Sequence, residues 1–205
     1  PLLFHTGMRA LFPLVSEAVD AIVPLSSLRW ISFGHVEADE CGALNQWLEA
    51  APNSQIAFSR LGCMVSVNDL SDRPPRPLDD EEVLDLGGKT VRYLSTPHVP
   101  HGWEAGVLFE ETTSTLLCGD LFTQLGDGPA IVNDSPMEPT IVAEDTFGYS
   151  SLTPSTTSTV ERLAELAPST LALMHGPAYT GDGEQWLRDL ATDYRRRADL
   201  VLAPA

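Results

Sequence analysis

An α/β domain whose strands close into a sheet sandwich is the fold that these 205 residues predict, and three features of the sequence predict it. Short apolar, β-branched or aromatic runs alternate with stretches that carry apolar residues at helical spacing. Two pairs of alternating runs flank turn residues and read as hairpins. Four of the five histidines (His35, His98, His101, His175), together with Asp120, stand directly after strand-like runs, in loops that a sandwich gathers at one rim.

Taken in order, "PLLFHTG" reads as a strand ending in a Gly turn, and "MRALFPLVSEAVDAIV" as a helix with Pro13 near its start. "LRWISFG" is a short buried strand. A loop over 34–42 leaves its C-terminal end, and "CGALNQWLEAAPNS" has helical spacing in Leu44, Trp47 and Leu48 before Pro52 stops it. "QIAFS" is a strand, "RLGCMVSVNDL" a short helix, and "SDRPPRPLDDEE" a charged, Pro-rich surface connection. "EVLDLGGKTVRYLSTP" is a hairpin around Gly87 and Gly88, and "GVLFEETTSTLLCGD" a second one turning near Thr112 to Ser114. Residues 121–152 carry no clear pattern. "TPSTTSTVERLAELAP" is a helix, in which Ser155, Thr156 and Ser158 read as loop and cap residues rather than as nucleophiles. "STLALMHG" is a strand and "DGEQWLRDLATDYRRRADLVL" a final helix.

The length and a 43% apolar content suit one domain over 1–205 with a substantial core. Because "LLFHTG" opens the chain as a strand that calls for neighbours, there is room for a preceding segment, N-terminal strands included, ahead of residue 1. Twelve Lys+Arg against 29 Asp+Glu give a net charge of −17, a field that repels phosphate backbones and anionic lipid surfaces and so argues against nucleic-acid and membrane partners. No apolar run approaches the roughly 18 residues of a membrane-spanning helix, and no secretory leader opens the chain. Three widely spaced cysteines (Cys41, Cys63, Cys118) fit reduced thiols better than a disulfide framework, so the expected location is the cytoplasm.

"GHVEADECG", residues 34–42, puts His35, Glu37, Asp39 and Glu40 into six positions. One explanation is an acidic helix start, where carboxylates meet the positive end of the macrodipole. The other is a metal site: charged groups between a buried strand and a helix are costly to desolvate unless paired or metal-bound. "TPHVPHGWEAG", "LLCGDLF" and "LALMHGPAY" are distant elements that can supply further ligands.

Taken together these four stretches resemble the metallo-β-lactamase superfamily over nearly the whole chain, which implies a four-layer αββα sandwich of the metallo-β-lactamase type. The superfamily's hydrolases carry H-x-H-x-D-H at the first loop; here His35, Glu37, Asp39 and Glu40 stand at those positions. Glutamate at the second of them resembles the flavodiiron proteins and the oxygen-binding di-iron proteins. In that branch a hairpin leads into a histidine with an acidic residue three places on, and His101 with Glu104 has this spacing. His101 is therefore favoured as the ligand, with His98 its rival or outer-shell supporter. The resemblance implies that His35, Glu37 and His101 hold one metal, that Asp39 and His175 hold a second, and that Asp120 bridges them. Asp39 and Asp120 are also the residues it implies for catalysis. Two metal ions are implied, iron first, with zinc and manganese as alternatives, because a glutamate in place of an imidazole makes the donor set harder.

Three departures qualify the match. Glu40 replaces a histidine, so its ligation of the second metal stays open. His5 stands where most of the superfamily has an aspartate, and reads either as an outer-shell partner or as a plain strand-end histidine. The flavodiiron proteins carry a flavodoxin-like module after the metal domain, and no such module follows here before Ala205, so electrons are expected from an external electron-donor protein. Cys41 and Cys118 read as small buried hydrophobes beside the acids, or as groups that tune the site. Trp103, Phe122 and Tyr179 read either as lining of the pocket mouth or as core. The implied function is a di-iron protein that binds or reduces a small diatomic such as oxygen. The alternatives are a metal-dependent hydrolase acting on an ester, thioester, amide or phosphodiester through a metal-bound hydroxide, and a sensor whose metal chemistry changes a protein contact. Partners are then a small-molecule ligand or substrate, the electron donor, and a second copy of the chain in a homodimer.

Overall fold

The computed structural model describes residues 1–202. Its elements run β1 (Leu2–Phe4), α1 (Phe12–Asp20), β2 (Trp30–Ser32), α2 (Ala38–Cys41), α3 (Leu44–Ala50), β3 (Gln55–Ser59), α4 (Arg60–Gly62), α5 (Asn68–Leu70), β4 (Arg76–Leu78), β5 (Val83–Asp85) and β6 (Thr90–Ser95). They continue with β7 (Gly106–Glu110), β8 (Thr115–Leu117), β9 (Ile131–Val132), α6 (Met137–Phe147), α7 (Thr156–Ala164), β10 (Thr170–Ala172), β11 (Ala178–Thr180) and α8 (Gly183–Leu202). A π turn over Cys63–Val67 joins α4 to α5.

The strands form two sheets, one of order β1-β2-β3-β4 and one of order β5-β6-β7-β8-β10-β11-β9. The first is parallel throughout; the second is antiparallel from β5 to β8, after which β10 lies parallel to β8. Because side chains alternate across a strand, each inner strand feeds two cores. Ile31, Ile56 and Phe58 point outward under α1 and α3, meeting Trp47 and Leu48, while Trp30 and Ala57 point inward. From the second sheet Tyr93 and Leu108 meet them in the middle core, and Leu94, Val107, Phe109 and Leu116 turn outward beneath α7 and α8. Three cores between four layers make this the αββα sandwich of the metallo-β-lactamase type that the resemblance implied.

Several local expectations change. The segment read as a surface connection contains β4, the last strand of its sheet, where the missing N–H of Pro77 is tolerated because an edge leaves one side unpaired. Arg73, just before it, donates to the carbonyls of Leu48, Pro52 and Ser54, tying the connection to the end of α3. The unpatterned stretch 121–152 holds β9 and α6; this helix buries only Thr140, Ala143 and Glu144, so it has no apolar stripe for a periodicity argument to find. The acidic stretch does start a helix: Glu37 stands at the N-cap position of α2, without a side-chain cap hydrogen bond, and the first turn contains Asp39 and Glu40. Among the described residues no helix is long and apolar enough to cross a membrane.

Candidate metal centre

Parallel alignment decides where the chemistry gathers. Strands β6, β8 and β10 run the same way, so the loops after them reach one end of the second sheet, and the loop after β2 reaches it from the first. The Gly106 backbone N–H donates to the Gly34 carbonyl at 2.8 Å, which joins the two sheets at that rim. No side chain fits at Gly106, since a Cβ there would lie 2.3 Å from Tyr93 Oη.

His35, Glu37, His101 and Asp120 offer ligand atoms that all lie within 4.8 Å of one another. His35 Nε2 is 2.8 Å from Glu37 Oε2 and 2.9 Å from His101 Nε2, and His101 Nε2 is 3.2 Å from the same glutamate oxygen. Asp120 Oδ2 faces this group, 3.8 Å from His35 Nε2 and 3.5 Å from His101 Nε2. Its other oxygen, Oδ1, turns to a second group, 3.4 Å from His175 Nε2, which in turn is 3.1 Å from Asp39 Oδ2. All six residues singled out in the sequence therefore meet, and one carboxylate faces both halves. His98 does not join them; it is exposed, with a left-handed φ of +65°.

Do these residues fit a cation? His101 Nδ1 lies 3.0 Å from the Tyr149 carbonyl oxygen, which can only accept, so the ring proton sits on Nδ1 and the Nε2 lone pair faces the cluster. His35 presents its own Nε2 to that lone pair. Two imidazole nitrogens facing each other at this range need a proton or a cation between them. With metal–nitrogen bonds of about 2.1 Å, neighbouring donors on one ion sit roughly 3.0–3.4 Å apart, a range that the separations of 2.8–3.8 Å here bracket. The fit is good.

The electrostatics agree. Burial acts to lower the His35 pKa, but the adjoining carboxylates of Glu40, Glu37 and Asp120 outweigh it and raise it to about 9. Asp120 is pushed above the ordinary carboxylate range by burial and by the charge of Glu40. The donor set thus carries more negative charge than it can disperse.

Glu40 takes no place among these donors. It is fully buried behind His35, its Oε2 accepting the His35 backbone N–H at 2.6 Å. His5 lies behind it, Nε2 to Glu40 Oε1 being 3.5 Å, with its pKa lowered to about 4 by burial. His5 thus stands beside the buried carboxylate, though its Nε2 makes no hydrogen bond to it. Glu104 is buried too and accepts the Val36 N–H at 3.0 Å, fastening the first ligand loop to the His101 loop.

A pocket of about 200 Å³ opens over the cluster, lined by Glu37, Asp39, His101, Asp120, His175, Thr123, Phe147 and Tyr149. The last three had no sequence signal, because they lie in or beside the stretch without periodicity. Of the aromatic candidates, Phe122 and Tyr179 belong to the core, at 0% and 3% exposure, and do not line this pocket. For Phe122 and Tyr179 the core reading therefore holds. Trp103 is exposed, but borders a separate hollow with Arg60 and Tyr93. Cys41 and Cys118 are buried, and burial raises both thiols, so neither is a ready thiolate.

The sequence matches the family described as ODP family beta lactamase over residues 1–176. A protein assigned as diflavin flavoprotein A 1 in Nostoc sp. is 25% identical over 198 residues, covering 90% of this chain and 33% of the relative. The chain spans about a third of the length of the curated relatives it matches. Among solved structures, the apo state of the chemotaxis sensor ODP from T. denticola aligns with a TM-score of 0.76 at 22% identity, covering 93% of this chain and 83% of that one. A peroxy diiron species of chemotaxis sensor ODP aligns at 0.75 and 22%, covering 96% and 85%. Rubredoxin oxygen:oxidoreductase from Desulfovibrio gigas aligns at 0.72 and 18%, covering 97% of this chain and 51% of that one. At these identities the structural likeness speaks for the fold, and the match over residues 1–176 speaks for descent: the chain belongs to the ODP family of beta lactamase-fold proteins.

Proposed function

We propose that this chain holds two iron ions at the rim cluster and there binds or reduces a small diatomic such as oxygen. The observation that carries the proposal is Asp120, whose two oxygens face two separate donor groups. His35, Glu37 and His101 would hold the first ion, Asp39 and His175 the second, with Asp120 between. Three carboxylates supply −3 in direct contact, and Glu40 behind them brings the total to −4, the charge that two divalent ions neutralise. A carboxylate-rich set with three imidazoles favours iron or manganese over zinc. Family membership and the di-iron sensor among the structural relatives support the same reading.

A ferrous pair supplies electrons and open coordination positions to a diatomic ligand. The chain's own residues do the rest. Phe147 and Tyr149 line a pocket whose volume of about 200 Å³ is below the ~300–1,000 Å³ of drug-sized sites, which suits small ligands. The Tyr149 carbonyl oxygen keeps the His101 proton on Nδ1. Asp39, at the pocket wall, is placed to pass a proton to or from what binds there. Sustained reduction would draw on an external electron-donor protein. The same reading takes residues 1–205 as a single domain and, with its cysteines buried and free, assigns it to the cytoplasm.

Protein purified without air from cells supplied with both iron and zinc is expected to contain close to two irons per chain and to change its visible spectrum when air is admitted. Zinc alone, together with ester or thioester turnover that Asp120→Ala abolishes, would overturn the proposal in favour of a hydrolase.

The raised pKa of His35 gives a second expectation. Below about 9 a metal must displace its proton, so metal affinity rises with pH, by up to about tenfold per unit from this group between pH 6.5 and 8.5. In chelated protein the sign reverses. The stabilising proton is fully present below the unfolded value of 6.5 and is lost as pH rises through about 9, so the melting temperature falls over that window. Paired titrations and melts across the range check both slopes.

A further inference from the structure

Glu40 is the acid of the first loop that no metal reading uses, and its surroundings assign it different work. Glu37 and Asp39 keep 54% and 25% of their side chains exposed at the pocket, whereas the Glu40 side chain is fully buried. Both of its oxygens turn inward. Oε2 takes the His35 backbone N–H at 2.6 Å, and Oε1 lies 3.2 Å from His35 Nδ1. On the opposite side of that ring, His35 Nε2 faces Glu37 at 2.8 Å. An imidazole whose Nδ1 proton is held by a carboxylate has its Nε2 lone pair free and aimed.

The space for this arrangement is built in. A Cβ on Gly34 would lie 3.0 Å from both Glu40 oxygens, so any other residue there would press on the carboxylate and make it give by a few tenths of an ångström. From the far side His5, held at a left-handed φ of +70°, brings a buried Nε2 with no hydrogen-bond partner to 3.5 Å from Oε1. Turning Glu40 outward to reach a metal would strip the buried His35 backbone N–H of its acceptor and remove the carboxylate oxygen that faces Nδ1 at 3.2 Å.

We propose, resting on the metal-centre reading above, that Glu40 is a positioning residue: it grips His35 by its backbone N–H and Nδ1 so that Nε2 faces the first metal, and His5 braces the carboxylate from behind. Glu40 is then not a ligand of the second metal, which is left with Asp39, His175 and the shared Asp120.

The test is cobalt(II) titration of the chelated protein, followed by its visible bands. Wild type is expected to take up two equivalents. Glu40→Gln should weaken the tighter equivalent by about 10–100-fold and shift its bands, and Glu40→Asp, which restores a carboxylate, should recover part of the loss. Unchanged affinity and bands in Glu40→Gln would overturn the proposal while leaving the metal centre intact. Loss of only the weaker equivalent would also overturn it, by making Glu40 a ligand of the second ion. Failure of wild type to take up cobalt would bring down the metal-centre reading and this proposal with it. Should Glu40→Gln not fold, NMR of ring-labelled histidine in zinc-loaded wild type decides: a proton on His35 Nδ1 is expected, and one on Nε2 refutes the arrangement.

Discussion

Asp120→Asn is expected to abolish stable metal binding while leaving the chelated protein as stable as wild type or more so. The residue is 6% exposed and faces His35, His101 and His175 through its two oxygens, so its loss removes a donor and a negative charge from both halves at once. Replacing an outer partner of a metal ligand already costs about 10–100-fold in affinity, and a shared inner carboxylate should cost at least about 100-fold for each ion. The purified variant should retain well under one metal per chain after gel filtration. Stability moves the other way because burial and the charge of Glu40 raise the Asp120 pKa. A carboxyl with a raised folded pKa contributes stability only where it is protonated, and that is lost as pH rises through its folded value; at neutral pH the charge is a burden. A melting temperature for the chelated variant well below that of chelated wild type would contradict this account, by showing that Asp120 holds the fold together without metal.

Trp47→Ala should be among the most destabilising substitutions, by about 3–5 kcal/mol, or roughly 6–20 °C in Tm for a chain of this size. Trp47 is fully buried, packs edge-on against Phe12 with ring centroids 5.2 Å apart, and donates from Nε1 to the Thr6 carbonyl at 2.8 Å. Thr6 in turn donates its N–H to the Glu40 carbonyl at 2.7 Å and accepts from Ala43 N–H through Oγ1 at 3.2 Å. One side chain therefore fills the outer core and ties β1 to the turn that carries Asp39 and Glu40. Urea unfolding of the chelated variant measures the loss without interference from the metal. Trp47→Phe, which keeps most of the apolar volume but not the donor, should lose less.

Legibility followed the length of the physical signal. The α1, α3, α7 and α8 helices and both hairpins have apolar patterns several residues long, or turn residues between alternating runs, and those signals act locally. Strand β4 was obscured by Pro77 within it and by Pro74 and Pro75 before it, and α6 by its buried Thr140 and Glu144, which break the apolar period. Phe122 and Tyr179 were read as candidates for the pocket mouth because they adjoin Asp120 and His175. Alternation along β11 turned Tyr179, and the turn after Asp120 turned Phe122, into the core beneath α7 and α8. Tyr149 gave no sign at all: what it does for His101 it does with a backbone carbonyl, which every residue type possesses.

From the amino-acid order, with the resemblance it carries, came the two-sheet class, the six candidate donors, and the oddity of a glutamate at position 40 with a histidine at position 5. These are matters of residue type and spacing, which a linear chain displays. Tertiary structure alone decided that Asp120 divides its oxygens between two groups and that Glu40 turns behind His35 with His5 at its back; it also brings His101, already favoured over His98, into the cluster. Direction and depth are properties of packing: which side of an imidazole meets a carboxylate depends on elements up to 140 positions apart, His35 to His175, brought to a common edge by strands running in parallel.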